Sequence, residues 1–236
     1  MEILEFSKVD NTEFDISSEI EIYRAHVKVS NIQNQAKEMI TAVNDTSWLK
    51  GLGVADRLSY EARAIRTIEK LVENIFSKVE DVVTEEFGEY VVSDTAGKIL
   101  EEAHGHKRVP LAELFKEKLS GNPGFDFHTE SHSGYIAFGE AKYSGQDGVS
   151  PHGNALSQIV GFIEAKKDLM ELTDLGRFVS ERALSNAAAG NKAYIAAFSI
   201  NAQRPKTVIN NAISSNHTKH LAEHRELYII GVEIDD

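Results

Sequence analysis

Apolar positions along the chain fall into two kinds of pattern, one helical and one extended. From Asp56 to Val83 they recur at the 3.6-residue period as Leu58, Ala62, Ile65, Ile68, Val72, Ile75 and Val79, which predicts the longest helix of the protein. Alternating or continuous apolar runs predict strands at Ile20–Val29, Glu89–Ser93, around Asp126, at Tyr135–Lys142, at Lys192–Ile200 and at Glu226–Ile234. Helical spacing also marks Ile32–Val43, Asn154–Leu172, Asp174–Ala188 and Lys206–Glu223, with Ile99–Leu119 as a helical connection broken at Pro110. Asp45–Gly53 and Gly145–Gly153 read as loops. From Asp56 the order is helix, three strands, helices, strand, helix, strand, which predicts an α/β fold with a central mixed β-sheet flanked by helices. No internal repeat or low-complexity tract interrupts it.

Two of the predicted strands carry charge where the pattern expects apolar residues. The segment Gly121–Ser144 reads GNPGFDFHTESHSGYIAFGEAKYS, with a turn region at Ser131–Gly134 that predicts a hairpin. Side chains alternate along a strand, so Glu140 and Lys142 share one face and Ala141 takes the other. Phe125 and Phe127 flank Asp126 on the face opposite its carboxylate, which would anchor that strand while presenting the acid. Antiparallel pairing would bring Asp126 near Glu140. Two carboxylates and an ammonium are the groups needed to hold a hard divalent cation and orient a water beside it.

Composition changes the picture in three ways. The chain has 236 residues and no cysteine, which excludes disulfides and thiolate metal sites and predicts a cytoplasmic protein. No apolar run is long enough to span a membrane, and Met1–Phe6 has neither the basic nor the apolar region of a secretory signal. The net charge of −12 opposes phosphate binding by the surface as a whole. Local basic clusters offer a phosphate-contacting rim: His104, His106, Lys107 and Arg108 with Lys116 and Lys118; Lys166 and Lys167; and Arg204 with Lys206. A partner protein could equally supply the affinity for nucleic acid.

The pattern Pro123-Gly124-Phe125-Asp126, fourteen positions to Glu140, then Glu140-Ala141-Lys142, resembles the PD-(D/E)XK nuclease superfamily. The resemblance covers roughly residues 56–234 and implies a restriction-endonuclease-like core. It implies a Mg²⁺-dependent DNA phosphodiester hydrolase, endonuclease favoured, working in restriction or anti-phage defence, with Mn²⁺ as a substitute metal. Asp126, Glu140 and the Ala141 carbonyl would hold the metal, and Lys142 would orient the attacking water. Residues 54–236 would form the nuclease domain, and residues 1–53 an N-terminal strand and helix extension for oligomer or partner contacts. DNA and a protein partner or second copy of the chain are the expected partners. The alternative is a catalytically inactive module of the same fold that binds nucleic acid or scaffolds a complex.

Members resembling this chain often take an extra acid from the first core helix and a glutamine from the helix after the metal strand. On a wheel of 100° per residue, the apolar stripe of the long helix centres near Glu61, where a buried carboxylate needs a partner or a metal. Glu61 is therefore the expected helix-borne acid, with Glu69 second. Gln158, one turn before Phe162, is the expected glutamine. Tyr143 and Ser144 are candidate phosphate contacts. His217, His220 and His224 have one-turn spacing on the last helix but no Glu or third ligand in place, and His220 falls on the face of Val208 and Ile213, where packing is the simpler explanation.

Overall fold

The apolar runs read as strands meet in one seven-stranded mixed sheet of order β1-β2-β7-β6-β5-β4-β3. The structure is a computed structural model that describes residues 1–78, 83–110, 114 and 124–235. The strands are β1 (Glu2–Lys8), β2 (Glu21–Val29), β3 (Lys107–Arg108), β4 (Phe127–Glu130), β5 (Ile136–Lys142), β6 (Ala193–Ser199) and β7 (Glu226–Ile234). Strands β2, β7, β6 and β5 run parallel, so their C-terminal ends share one edge of the sheet. Strands β1, β4 and β3 add antiparallel margins. All seven residues of β6 are buried, as expected for a parallel strand covered on both faces.

Alternation sorts the strand side chains into two layers. One face carries Phe138, Tyr194, Ala196, Phe198 and Ile229 against the helices α4 (His152–Glu164), α5 (Glu181–Ala188), α6 (Pro205–Ile213) and α7 (Asn216–Leu221). The other carries Ala137, Ala141, Ile195, Ala197 and Ile230 against α1 (Ile32–Asn44) and α3 (Glu85–His104) and the end of α2 (Val54–Asn74). The α/β class with a mixed sheet flanked by helices is therefore as expected. Residues 1–53 supply β1, β2 and α1, and β2 pairs with β7 along nine residues. Among the described residues no helix is long and apolar enough to cross a membrane.

Three elements differ from the pattern-based expectation. Glu89–Ser93 is not a strand but lies inside α3. Thr84 caps that helix by accepting from the Phe87 N–H, Glu85 and Glu86 occupy its positive first turn, and Gly105 ends it at φ 67°. Its β-branched residues Val91, Val92 and Ile99 are wholly buried against the sheet, so tertiary packing overrides their strand preference. The helix expected from Ile99 on thus ends at His104. Helix α2 stops at Asn74 and buries Tyr60, Ala64 and Leu71; of the predicted stripe, Ile68, Val72 and the following Ile75 pack on the core. Leu58 and Ile65 are 58% and 51% exposed, so the N-terminal half of that apolar row faces outward. Val79, Lys116, Lys118 and Pro123 lie outside the described residues.

Candidate active site

Strand β4 is shorter than β5, and the site forms where that difference leaves the end of β5 without a strand on its β4 side, while β6 still pairs with it on the other. Phe127 pairs with Gly139, and the Asp126 N–H donates to the Gly139 carbonyl at 2.9 Å. The ring of Phe127 crosses directly over Gly139, where a Cβ would sit 2.5 Å from it. Beyond that point the Asp126 side chain takes over from the missing backbone, its Oδ2 accepting from the Ala141 N–H at 2.9 Å. The N–H and C=O of one residue leave an extended strand on the same edge. The Ala141 carbonyl is therefore directed to the side on which Asp126 lies. Phe125 and Phe127 do not share a face as alternation would have it. Phe125 packs in the α4 layer and Phe127 in the α3 layer, because the chain turns at Asp126 to enter the ladder.

Glu140 shares its face with Phe138 and is 0% exposed. Neither of its oxygens makes a hydrogen bond of good geometry. The Lys142 ammonium stands 2.7 Å from Oε1 and 3.3 Å from Oε1 of Glu89 on α3. Burial, and then the negative charge of Asp126, push the Glu140 carboxyl up to about 9, against the pull of Lys142. Burial also raises Asp126, opposed by the Ala141 N–H and by Lys142. Burial alone would lower Lys142, but the Glu140 charge overrides it and holds the ammonium protonated. Glu89 is raised by burial, partly offset by Lys142. Two crowded carboxylates that resist joint ionisation would keep a proton between them until another cation replaces it.

The structure thus brings together Asp126, Glu140, Ala141 and Lys142, and adds Glu89. Glu61 and Glu69 are exposed on α2 and do not join them. The helix-borne acid comes from α3, and the misread strand concealed it. The signals that could have found Glu89 are the Thr84 cap followed by two glutamates and the terminal Gly105. Gln158 is half-buried on α4, which covers the Glu140 face of the sheet, and no hydrogen bond joins it to Asp126 or Glu140. Ser144 is a loop residue, its N–H donating to Ser199 Oγ at 2.9 Å. Tyr143 packs on Gly88.

The expected basic rim is largely committed elsewhere. His106 is buried, Lys107 donates to the Phe178 carbonyl and Arg108 pairs with Asp94. Strand β3 also pairs with the far end of β4, away from Lys142. Lys206 remains 80% exposed. His220 is exposed rather than packed, and His224 lies beyond the end of α7.

Among the described residues no group of three or more His, Asp or Glu side chains is arranged to hold a metal ion by itself. A site with two carboxylates still suits Mg²⁺, which keeps several waters and is commonly bound by one or two carboxylates plus substrate phosphate. Two buried Glu140 oxygens without hydrogen bonds are the feature that fits such an ion. Compared with known proteins, the chain matches no family model, no curated protein and no solved structure.

Proposed function

We propose that the chain is a metal-dependent nuclease of the PD-(D/E)XK type, with a restriction-endonuclease-like core, that hydrolyses DNA phosphodiesters, with endonucleolytic action and a role in restriction or anti-phage defence. One observation carries this reading: a fully buried Glu140 carboxylate without good hydrogen bonds, beside Asp126 and Lys142, at the split between β4 and β5. An isolated buried carboxylate costs several kcal/mol unless it is paired or ligates a cation. The Lys142 ion pair meets one oxygen only.

Bound Mg²⁺ or Mn²⁺ would supply Lewis-acid activation of water and neutralise charge at the phosphate. Asp126, Glu140 and the Ala141 carbonyl would offer it oxygen ligands, with the two acids releasing the proton they share. Lys142 would then turn part of its charge toward the scissile phosphate and orient the attacking water. Glu89 would steady that ammonium from the α3 side. The net charge of −12 supports an assembly, with a second copy or a protein partner completing the hold on DNA.

The test is nicking and linearisation of plasmid DNA with Mg²⁺, Mn²⁺ or EDTA, using the parent chain, Glu140→Gln and Lys142→Met. Metal-dependent cleavage lost in both folded variants is the expected outcome. Equal cutting by parent and variants refutes the assignment. Metal-independent retention of DNA without cleavage by the parent would instead favour the binding-module reading.

A further inference from the structure

Helix α2 meets two environments along its length. On its inner side Tyr60, Ala64 and Leu71 are buried, and toward its end Ile68 and Val72 pack on the core. Its first turns leave a second apolar row in solvent. Val54, Leu58 and Ile65 are 69%, 58% and 51% exposed, and Ala55 and Ala62 beside them are exposed as well. A contiguous exposed apolar row of this kind marks an interaction surface.

The row has the spacing of a short coiled-coil seam. Leu58 and Ile65 lie seven residues apart, as do Ala55 and Ala62, and the two sets interleave at steps of three and four. In heptad terms the alanines take the a positions, and Leu58 and Ile65 take the d positions. Glu61 then falls at g and Arg66 at the following e. In a parallel pair of helices, a g residue faces the e residue five positions further along its partner. Glu61 of each copy would therefore meet Arg66 of the other, twice by symmetry. An antiparallel pair sets g beside g and e beside e, which puts the Glu61 sides together and leaves Arg66 without an acid. Among the described residues neither Glu61 nor Arg66 is held in an ion pair within the chain, and both are exposed.

We propose that two copies of the chain associate through α2, side by side and parallel, along Val54–Arg66. Leu58 and Ile65 would meet their own counterparts, with the small alanines letting the two backbones approach. A phosphate backbone gains nothing from an apolar row. A membrane surface favours a basic rim, whereas Glu61 and Glu69 flank this row together with Arg57 and Arg66. Charges that complement the same surface on a two-fold mate single out a second copy. The seam runs for only about three and a half turns, and it covers less than the roughly 800 Å² per partner of a stable complex. The dimer is therefore weak, with a Kd between about 10 μM and 1 mM. This pairing does not depend on the phosphodiesterase reading, since none of its residues belongs to the Asp126, Glu140 and Lys142 site.

Sedimentation equilibrium of the full chain, from about 10 μM to 1 mM in about 0.15 M salt, measures the association. The mass should rise with concentration toward that of two chains. Leu58→Lys should hold it at one chain, with circular dichroism unchanged because that side chain lies mostly in solvent. Glu61→Arg and Arg66→Glu each turn both attractions into repulsions and should weaken the dimer roughly tenfold. The double variant Glu61→Arg/Arg66→Glu reverses the charges and should dimerise like the parent. An equimolar mixture of the two single variants should do the same. The chain has no cysteine, so Ala55→Cys alone reports direction: parallel helices bring position 55 of both copies within disulfide reach, and antiparallel helices separate them. A chain that stays single at millimolar concentration overturns the proposal. So does a dimer indifferent to Leu58→Lys, a double variant that fails to recover, or the lack of a disulfide from Ala55→Cys.

Discussion

The ring of Tyr143 lies over Gly88 at a distance that no side chain at position 88 would permit. This contact sets the first turns of α3 directly against the end of β5. Through it Glu89 stands 3.3 Å from Lys142. Gly88→Ala should force the two elements apart, costing about 1–3 kcal/mol by overpacking and separating Glu89 from Lys142. Under the proposed nuclease function, cleavage should fall at least about tenfold, as expected when a group at an active site is misplaced by an ångström. Adding Tyr143→Leu should restore part of both losses. A single variant with unchanged melting temperature and rate would show that the contact places nothing.

Glu171 acts on the other side of the site. Its Oε1 accepts from the Phe125 N–H at 3.0 Å, and its Oε2 pairs with His128 Nε2 at 2.7 Å. It fixes the residue just before Asp126 and the second residue after it. If the proposed function holds, Glu171→Ala should lower the kcat of DNA cleavage and the affinity for Mg²⁺ by roughly tenfold or more while the chain still folds. Glu171→Gln keeps an acceptor for Phe125 and a donor for the imidazole, so it should recover most of the activity. Failure of the glutamine to rescue would mean that the charge, not the geometry, is what matters.

The end of the sheet away from Lys142 supplies a pH prediction. Tyr228 Oη donates to Glu226 at 2.9 Å, so it accepts from His106 Nε2 at 3.0 Å, and His106 Nδ1 then accepts from Thr129 Oγ1 at 2.8 Å. Burial lowers the His106 pKa to about 3. The unfolded chain binds this proton at an ordinary histidine pKa near 6.5 and the folded chain does not. Stability from this group is therefore whole above pH 6.5 and falls on acidification toward pH 3, by up to about 1.4 kcal/mol per pH unit. His106→Gln should flatten that acid limb in urea melts. Parallel limbs for the two proteins would disprove it.

The sequence foretold the fold best where burial was complete on both faces. Glu226–Ile234 is a strand with the predicted ends, because its Leu227–Val232 stretch is buried on both faces and suits one environment. It failed where one pattern suited two environments. Glu89–Ser93 has strand-forming residues, yet the Thr84 cap and the packing of Val91, Val92 and Ile99 make it helical. The α2 wheel found a genuine apolar row, but only its part from Ile68 on meets the core and its first turns face outward, so Glu61 was placed inward. The Asp126…Glu140-Ala141-Lys142 set was legible because a short hairpin fixes it locally. Glu89 was not, because its approach depends on Tyr143 meeting a glycine 55 positions earlier in the chain.

Glu140 gives the prediction with the opposite sign to that of His106. Its pKa is raised by burial and by Asp126 to about 9, so the folded chain holds a proton that the unfolded chain loses near 4.5. Stability from this group is whole below pH 4.5 and is lost as pH rises toward 9, again by up to about 1.4 kcal/mol per unit. Glu140→Gln should remove that loss, so its advantage over the parent should grow from pH 5 to pH 9 in metal-free buffer. Lys142→Met should do the reverse, because it removes the one cation that offsets the Glu140 charge. Mg²⁺ favours the ionised acid, so its thermal stabilisation of the parent should be larger at pH 8.5 than at pH 6 and absent in Glu140→Gln. The deciding measurement is a set of melts across pH with and without Mg²⁺. A parent and Glu140→Gln pair that keep a constant difference in stability across this range, with equal responses to Mg²⁺, would show that Glu140 neither holds the proton nor meets the cation.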